Sequence, residues 1–164
     1  MIIVLMGVTG SGKTTVGKLL AAKLGWSYYD ADDFHSPANV EKMKRGIPLD
    51  DADRAPWLAA LRELIRDRVA SEANGVLACS ALKQAYRDGL LLSDAVRLVY
   101  LQGSRELIRR RLTQRQGHFM DPKLIDSQFE TLEEPEGELT IDVALPANEI
   151  VVRIMIDLGL RGES

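Results

Sequence analysis

Cysteine is nearly missing from this 164-residue chain, and so is histidine: Cys79 stands alone and there are two histidines. A single thiol rules out an internal disulfide and is compatible with a reducing compartment. One cysteine with two histidines also cannot assemble a structural zinc site. Positive charge is not in excess. Lys and Arg total 21 against 24 Asp and Glu, for a net charge of −3 and a pI near 5.5. Binding to nucleic acid or an anionic membrane surface relies on surplus Lys and Arg, so neither is expected. No apolar run approaches the roughly 20 residues of a membrane span, and the chain enters a strand pattern without a basic leader. No internal repeat or low-complexity tract is visible. The reading is one soluble domain spanning 1–164, with the cytoplasm as its expected location.

Against this plain background one stretch is dense with information. Gly7-Val8-Thr9-Gly10-Ser11-Gly12-Lys13-Thr14 fits G-x-x-x-x-G-K-[ST] at every specified position,. The apolar run Ile2 to Met6 precedes it and a helical pattern follows. A strand that breaks into glycines and re-enters as a helix turns backbone N–H groups toward an anion at the positive end of the helix dipole. Phosphate fits such a nest. Lys13 supplies a point charge for terminal phosphates, and the Thr14 hydroxyl is placed to ligate magnesium. Gly7, Gly10, Ser11, Gly12, Lys13, Thr14 and Thr15 are therefore the expected nucleotide-binding residues.

The rest of the chain alternates strands and helices. After the helix ending at Gly25, residues 26–30 read as a short strand that delivers Asp30-Ala31-Asp32-Asp33-Phe34-His35. Ser36-Pro37 begin a short helix to Gly46, and 47–56 read as an acidic, proline-bounded connection. A long helix with Leu58, Leu61, Ile65 and Val69 on its buried stripe follows, then a strand at 76–79 and a helix capped by Ser80. Val96–Leu101, a helix capped by Ser104, a break at 116–120, a helix from Pro122, a strand near 139–145 and a closing helix complete the order. Five strands separated by helices predict an α/β fold: a parallel sheet covered on both faces.

Asp30 and Asp32, two residues apart on what reads as an extended segment, would share a face beyond the strand end, where open parallel sheets bind ligands. There Asp30 can hold magnesium through water, and Asp32 can orient or deprotonate an attacking hydroxyl. His35 is either a polar contact to substrate or a surface turn residue. In the basic helix at 105–115, Arg111 and Arg115 stand one turn apart just before Gly117. A basic helix ending at a break is what a closing lid needs, since arginines arriving from above neutralise phosphoryl charge and exclude water. Arg105, Arg109 and Arg110 are assigned to the surface, and Cys79 to the core. No strand ends in the apolar-apolar-Asp pattern of many motor and regulatory NTPases, and no Asn-Lys-x-Asp is present for guanine. A small-molecule kinase arrangement remains, in which the second strand supplies the acids.

Together these pieces resemble the gluconokinase family of P-loop kinases, of the thermoresistant type. The resemblance is carried by Gly7 to Thr14, Asp30-Ala31-Asp32 with His35, Asn39 to Met43, Gly46 to Leu58 with its Asp53-Arg54-Ala55-Pro56-Trp57-Leu58, Cys79-Ser80-Ala81-Leu82-Lys83 with Tyr86-Arg87-Asp88, Gly117 to Met120, and Ser127-Gln128-Phe129 with Leu132-Glu133. Ala31 and Ser36 depart from the family pattern, which has Gly and often Pro there. The resemblance implies a P-loop kinase fold with a mobile lid at about 111–133. It also implies ATP- and Mg2+-dependent phosphorylation of the 6-hydroxyl of D-gluconate, often by a homodimer. It further makes Arg54, Lys83 and Arg87 candidates to grip a carboxylate, unless they pair with Asp50, Asp51, Asp53 or Asp88. Gln128 becomes a candidate to reach substrate hydroxyls from the lid side.

Overall fold

Five consecutive apolar residues, Ile2–Met6, form β1, and all five are buried. A strand without a polar face needs cover on both sides, and the sheet order β2-β3-β1-β4-β5 puts β1 in the middle,. A computed structural model describes residues 1–114 and 122–163. Within them the strands are Ile2–Met6 (β1), Ser27–Asp30 (β2), Gly75–Ala78 (β3), Val96–Gln102 (β4) and Leu139–Asp142 (β5). The helices are Lys13–Leu24 (α1), Pro37–Lys44 (α2), Asp51–Ala70 (α3), Gln84–Leu90 (α4), Arg105–Gln114 (α5), Pro122–Thr131 (α6) and Ala147–Asp157 (α7). Every strand pairing is parallel.

Period-two alternation divides β1 between two cores. Ile3 and Leu5 pack with Val16 and Leu20 of α1, Ile108 and Leu112 of α5, Ile125 of α6 and Ile150 and Ile154 of α7. Ile2, Val4 and Met6 pack with Trp57, Leu61 and Ile65 of α3 and Leu90 of α4. Each fully buried aliphatic side chain contributes roughly 1.5–3 kcal/mol to holding the layers together. All five strands therefore point their C-terminal ends the same way, and the loops that follow them form one edge.

Four expected boundaries change. The stretch 47–56 is not a connection throughout: Asp50 accepts a hydrogen bond from the Asp53 N–H and Asp53 accepts one from the Asp50 N–H, so a capping box starts α3 at Asp51,. Pro56 lies inside that helix on an exposed face, where the Ala52 carbonyl left without a donor meets water,. Ser80 caps nothing. Residues 79–83 run on irregularly with Ala81 at φ 47°, and α4 begins only at Gln84. The segment 139–145 leaves the sheet at Asp142, whose carboxylate accepts the Ala144 N–H at 2.8 Å and turns the chain. Finally, Asp32 is not on an extended segment. Asp30 ends β2 and its side chain accepts the Asp32 N–H at 2.9 Å, capping a 3-10 turn over Ala31–Phe34.

Candidate active site

The glycine loop joins the central strand to α1 as its spacing requires. Gly12 is the N-cap of α1 at φ 94° and offers no side chain to the first amides of the helix. By helix geometry those amides have no partner within the helix. A Cβ built on Gly12 would meet no atom within 4 Å, so the space before it is open. That combination, unpartnered donors and a hollow that one methyl group would enter, suits a phosphate group. Gly7 sits beneath the loop: its N–H donates to the Ser80 carbonyl, tying the loop to the end of β3.

Lys13 folds back over its own loop and donates to the carbonyls of Gly7 at 2.8 Å and Val8 at 2.9 Å. Loss of hydration lowers its pKa to about 8, even though Cys79, Asp32 and Asp30 act to raise it,. Asp30 and Asp32 line the same cavity of about 160 Å³ as Gly10, Gly12, Lys13, Thr14 and Thr15. Desolvation raises the pKa of Asp32, and the like charge of Asp30 adds to this. Cys79 also lines the cavity, yet burial pushes its thiol up to about 12, which leaves it a small hydrophobe,.

On the other side of the loop a second cavity, about 420 Å³, falls in the roughly 300–1,000 Å³ range of small-molecule sites,. Gly10, Ser11, Gly12 and Thr15 form one wall, Arg111 and Leu112 another, and Ala144-Leu145-Pro146-Ala147 the third. Arg111 donates through Nη2 to the Val143 carbonyl, which fixes it over this wall. The β5–α7 segment was invisible as a site because its residues are small and apolar; only the parallel fold carries it to the loop edge.

A further polar group is built from the start of α2, the start of α3 and the β3–α4 segment. His35 stacks on Trp57 with ring centroids 4.6 Å apart and planes 9° from parallel. Trp57 is itself fixed by donating Nε1–H to the Ala31 carbonyl at 2.7 Å. Buried Asn39 places its Nδ2 3.3 Å from His35 Nδ1 and donates to the Asp53 carbonyl at 2.8 Å. Burial lowers the His35 pKa, Asp32 acts to raise it and Arg54 to lower it, so the ring lies within the field of both. A neutral His35 accepting from Asn39 at Nδ1 keeps its proton on Nε2. Arg54 and Lys83 then converge on Tyr86 and Asp51. Asp51 is one of the acids expected as an alternative partner of Arg54 and Lys83, and it lies 3.9 and 3.5 Å from them; Trp57, Asn39 and Tyr86 had no role beyond carrying the resemblance, and their surroundings come from segments far apart in the chain.

Two expected substrate contacts are corrected. Arg87, only 1% exposed, spends its guanidinium on the carbonyls of Ala81, Leu82 and Glu133 and on the Gln84 side chain. It is a strut that holds the irregular 79–83 segment, not a hand for a ligand. Gln128 uses both ends of its amide on Thr9, accepting the backbone N–H at 2.6 Å and donating to the hydroxyl at 2.7 Å. With Ile125 in the core, this docks α6 on the glycine loop. Arg105 and Arg109 pair with Asp126 at 3.4 and 2.5 Å on the surface, as assigned. Arg115, Gly117, His118, Phe119 and Met120 lie outside the described residues.

Among the described residues no cluster of three or more His, Cys, Asp or Glu could hold a metal by itself. An exposed Thr14 hydroxyl and Asp30 on one cavity wall fit an ion that takes its other ligands from phosphate oxygens and water,. Among the described residues no helix is long and apolar enough to cross a membrane.

Known proteins with this arrangement are numerous. The shikimate kinase family model matches residues 9–139. A probable gluconokinase from Mus musculus is 46% identical over 177 residues, covering 94% of this chain and 95% of its own. A sugar kinase from Janibacter sp. HTCC2649, solved without ligand, superposes with a TM-score of 0.87 at 40% identity over 97% of this chain and 94% of its own. A gluconokinase from Sinorhizobium meliloti 1021 gives a TM-score of 0.83 at 42% identity over 96% and 94%. A shikimate kinase from Aquifex aeolicus, at 18% identity and a TM-score of 0.63, shares the fold alone. With a glycine loop leading from β1 into α1, one carboxylate ending β2 and another on the turn after it, and this likeness over nearly its whole length, the chain belongs to the gluconokinase family of P-loop kinases.

Proposed function

We propose that the chain transfers the γ-phosphoryl group of ATP to the 6-hydroxyl of D-gluconate, giving 6-phospho-D-gluconate and ADP. The observation that carries this reading is the strip leading away from the cradle. Asp32 lines the cradle cavity, His35 lies in the field of both Asp32 and Arg54, and Arg54 and Lys83 share Tyr86 and Asp51 as neighbours. A base at one end and two cations at the other suit a chain with an alcohol at one terminus and a carboxylate at the other. A polyol would leave the cations with Asp51 as their one carboxylate, and a nucleotide acceptor would bring phosphate to Asp32.

In this reading the cradle amides and Lys13 hold the donor phosphates, and the cavity bounded by Arg111 and residues 144–147 takes the base. Thr14, and Asp30 through water, would hold Mg2+, which when bound draws charge from the phosphate oxygens. Asp32 orients the acceptor hydroxyl and takes its proton as the new C–O–P linkage forms and the bond to the ADP oxygen breaks. Its raised pKa makes it a stronger base than a free carboxylate. His35 donates from Nε2 to an acceptor oxygen. Because phosphoryl transfer is loose, positioning and charge neutralisation contribute more than the base. Arg115 is assigned to the transferring group from a lid, and the protein to the cytoplasm as a possible homodimer.

An ADP-release assay with gluconate, a panel of other sugar acids and shikimate tests the reading. Gluconate should give the highest kcat/KM, and shikimate, whose kinase family model also matches, should give little. Turnover of shikimate or a nucleotide in preference to gluconate would overturn it. Sedimentation of the pure chain tests the dimer.

A further inference from the structure

We infer that Tyr86 is a positioning residue, setting the spacing and direction of Arg54 and Lys83 so that together they receive the carboxylate of the acceptor; this rests on the acceptor-strip reading above. Tyr86 lies on the first turn of α4, and both cations stand over its ring. The Arg54 guanidinium carbon is 5.7 Å from the ring centroid and Lys83 Nζ is 5.6 Å from it. Two cations facing one group repel one another, and a π face offsets part of that repulsion.

The hydroxyl adds direction. It accepts from Arg54 Nη1 at 3.1 Å and donates to Asp51 at 2.7 Å. The same Asp51 oxygen lies 3.5 Å from Lys83 Nζ and 3.9 Å from Arg54 Nη1, long contacts that leave both cations with donors to spare. Asp51 is largely exposed, so the group is open to solvent on that side. The molecule thus already shows one carboxylate facing Tyr86, Lys83 and Arg54 at once. An acceptor carboxylate would meet the remaining donors, and with better geometry, because a guanidinium prefers two parallel bonds. Discrimination against uncharged acceptors of equal length would then depend on Tyr86, although it contributes no charge of its own.

The competing account is that Tyr86 only packs α4 beside α3. Tyr86→Phe separates the two, since it keeps the ring and removes the hydroxyl bonds; Tyr86→Leu removes both. Steady-state kinetics would be run with gluconate and with its uncharged amide. For Tyr86→Phe, the KM for gluconate should rise about tenfold or more, the loss expected for bonds to charged groups. Its kcat and its KM for ATP should stay within about twofold. The preference for acid over amide should shrink in the same proportion, and Tyr86→Leu should shrink it further. An unchanged gluconate KM in Tyr86→Phe overturns the inference, as does an equal rise for acid, amide and ATP. If wild type prefers another anionic acceptor, the substrate reading fails on that result alone. The Tyr86 comparison is then made on that acceptor, where an unchanged KM still overturns it.

Discussion

Alkaline pH should weaken nucleotide capture well before it touches the acceptor side, because Lys13 is poised to lose its proton. Its pKa stands at about 8, mainly through loss of hydration around Nζ. A lowered lysine pKa means that charge is present below that value and lost above it, so about nine-tenths of the chains carry it at pH 7 and about one-tenth at pH 9. Because kcat/KM for ATP reports the free enzyme, it should fall above pH 8 with a slope approaching tenfold per unit. With phosphate bound beside Nζ the lysine pKa rises again, so kcat should break at higher pH. Cys79, pushed up to about 12, is silent in this window. The measurement is initial ADP release from pH 6.5 to 10 with saturating acceptor. Lys13→Arg is the control: it stays cationic throughout, and its residual kcat/KM should be flat. A wild-type profile flat to pH 9.5, or the same break in Lys13→Arg, would refute the assignment.

Three substitutions probe the rest of the site and its support. Asp32→Asn should lower kcat about 100-fold, a usual general-base contribution, with little change in KM for ATP; near-wild-type turnover would remove Asp32 from the chemistry. Arg87→Leu leaves the buried Ala81 carbonyl without its guanidinium donor and the half-buried Glu133 carbonyl likewise, while Leu82 keeps the Glu133 N–H, so urea unfolding should show a loss of about 1–3 kcal/mol,. A loss under about 1 kcal/mol with a raised gluconate KM would return Arg87 to the substrate. Gly17→Ala would set a Cβ 2.7 Å from the Tyr28 ring and 3.4 Å from Leu5, costing about 1–3 kcal/mol by overpacking between α1 and the sheet,. Adding Tyr28→Leu should restore part of the melting temperature, and no rescue would place the strain elsewhere.

The cradle was legible in the chain because its physics is local. Strand, glycines, lysine and helix are contiguous, and a helix N-terminus binds anions wherever the fold puts it. The two-faced parallel sheet was equally legible, since a five-residue apolar strand such as Ile2–Met6 has no stable place but the middle. The limits of α3 misled because Pro56 outweighed the Asp50–Asp53 capping box in a linear reading. Which arginine supports the fold and which faces a ligand could not be read at all. Arg54 and Arg87 belong to equally distinctive segments, and only packing shows one beside Tyr86 in an open strip and the other 1% exposed among carbonyls. The same holds for Gln128, whose partner Thr9 is 119 residues away. Sequence alone determined where the strand, the glycine turn and the helix amides would meet, because that junction lies within eight consecutive residues. Tertiary structure alone decided what lies beside that junction, because the start of α2, the start of α3 and the β3–α4 segment meet only when the parallel strands bring their C-terminal ends to one edge.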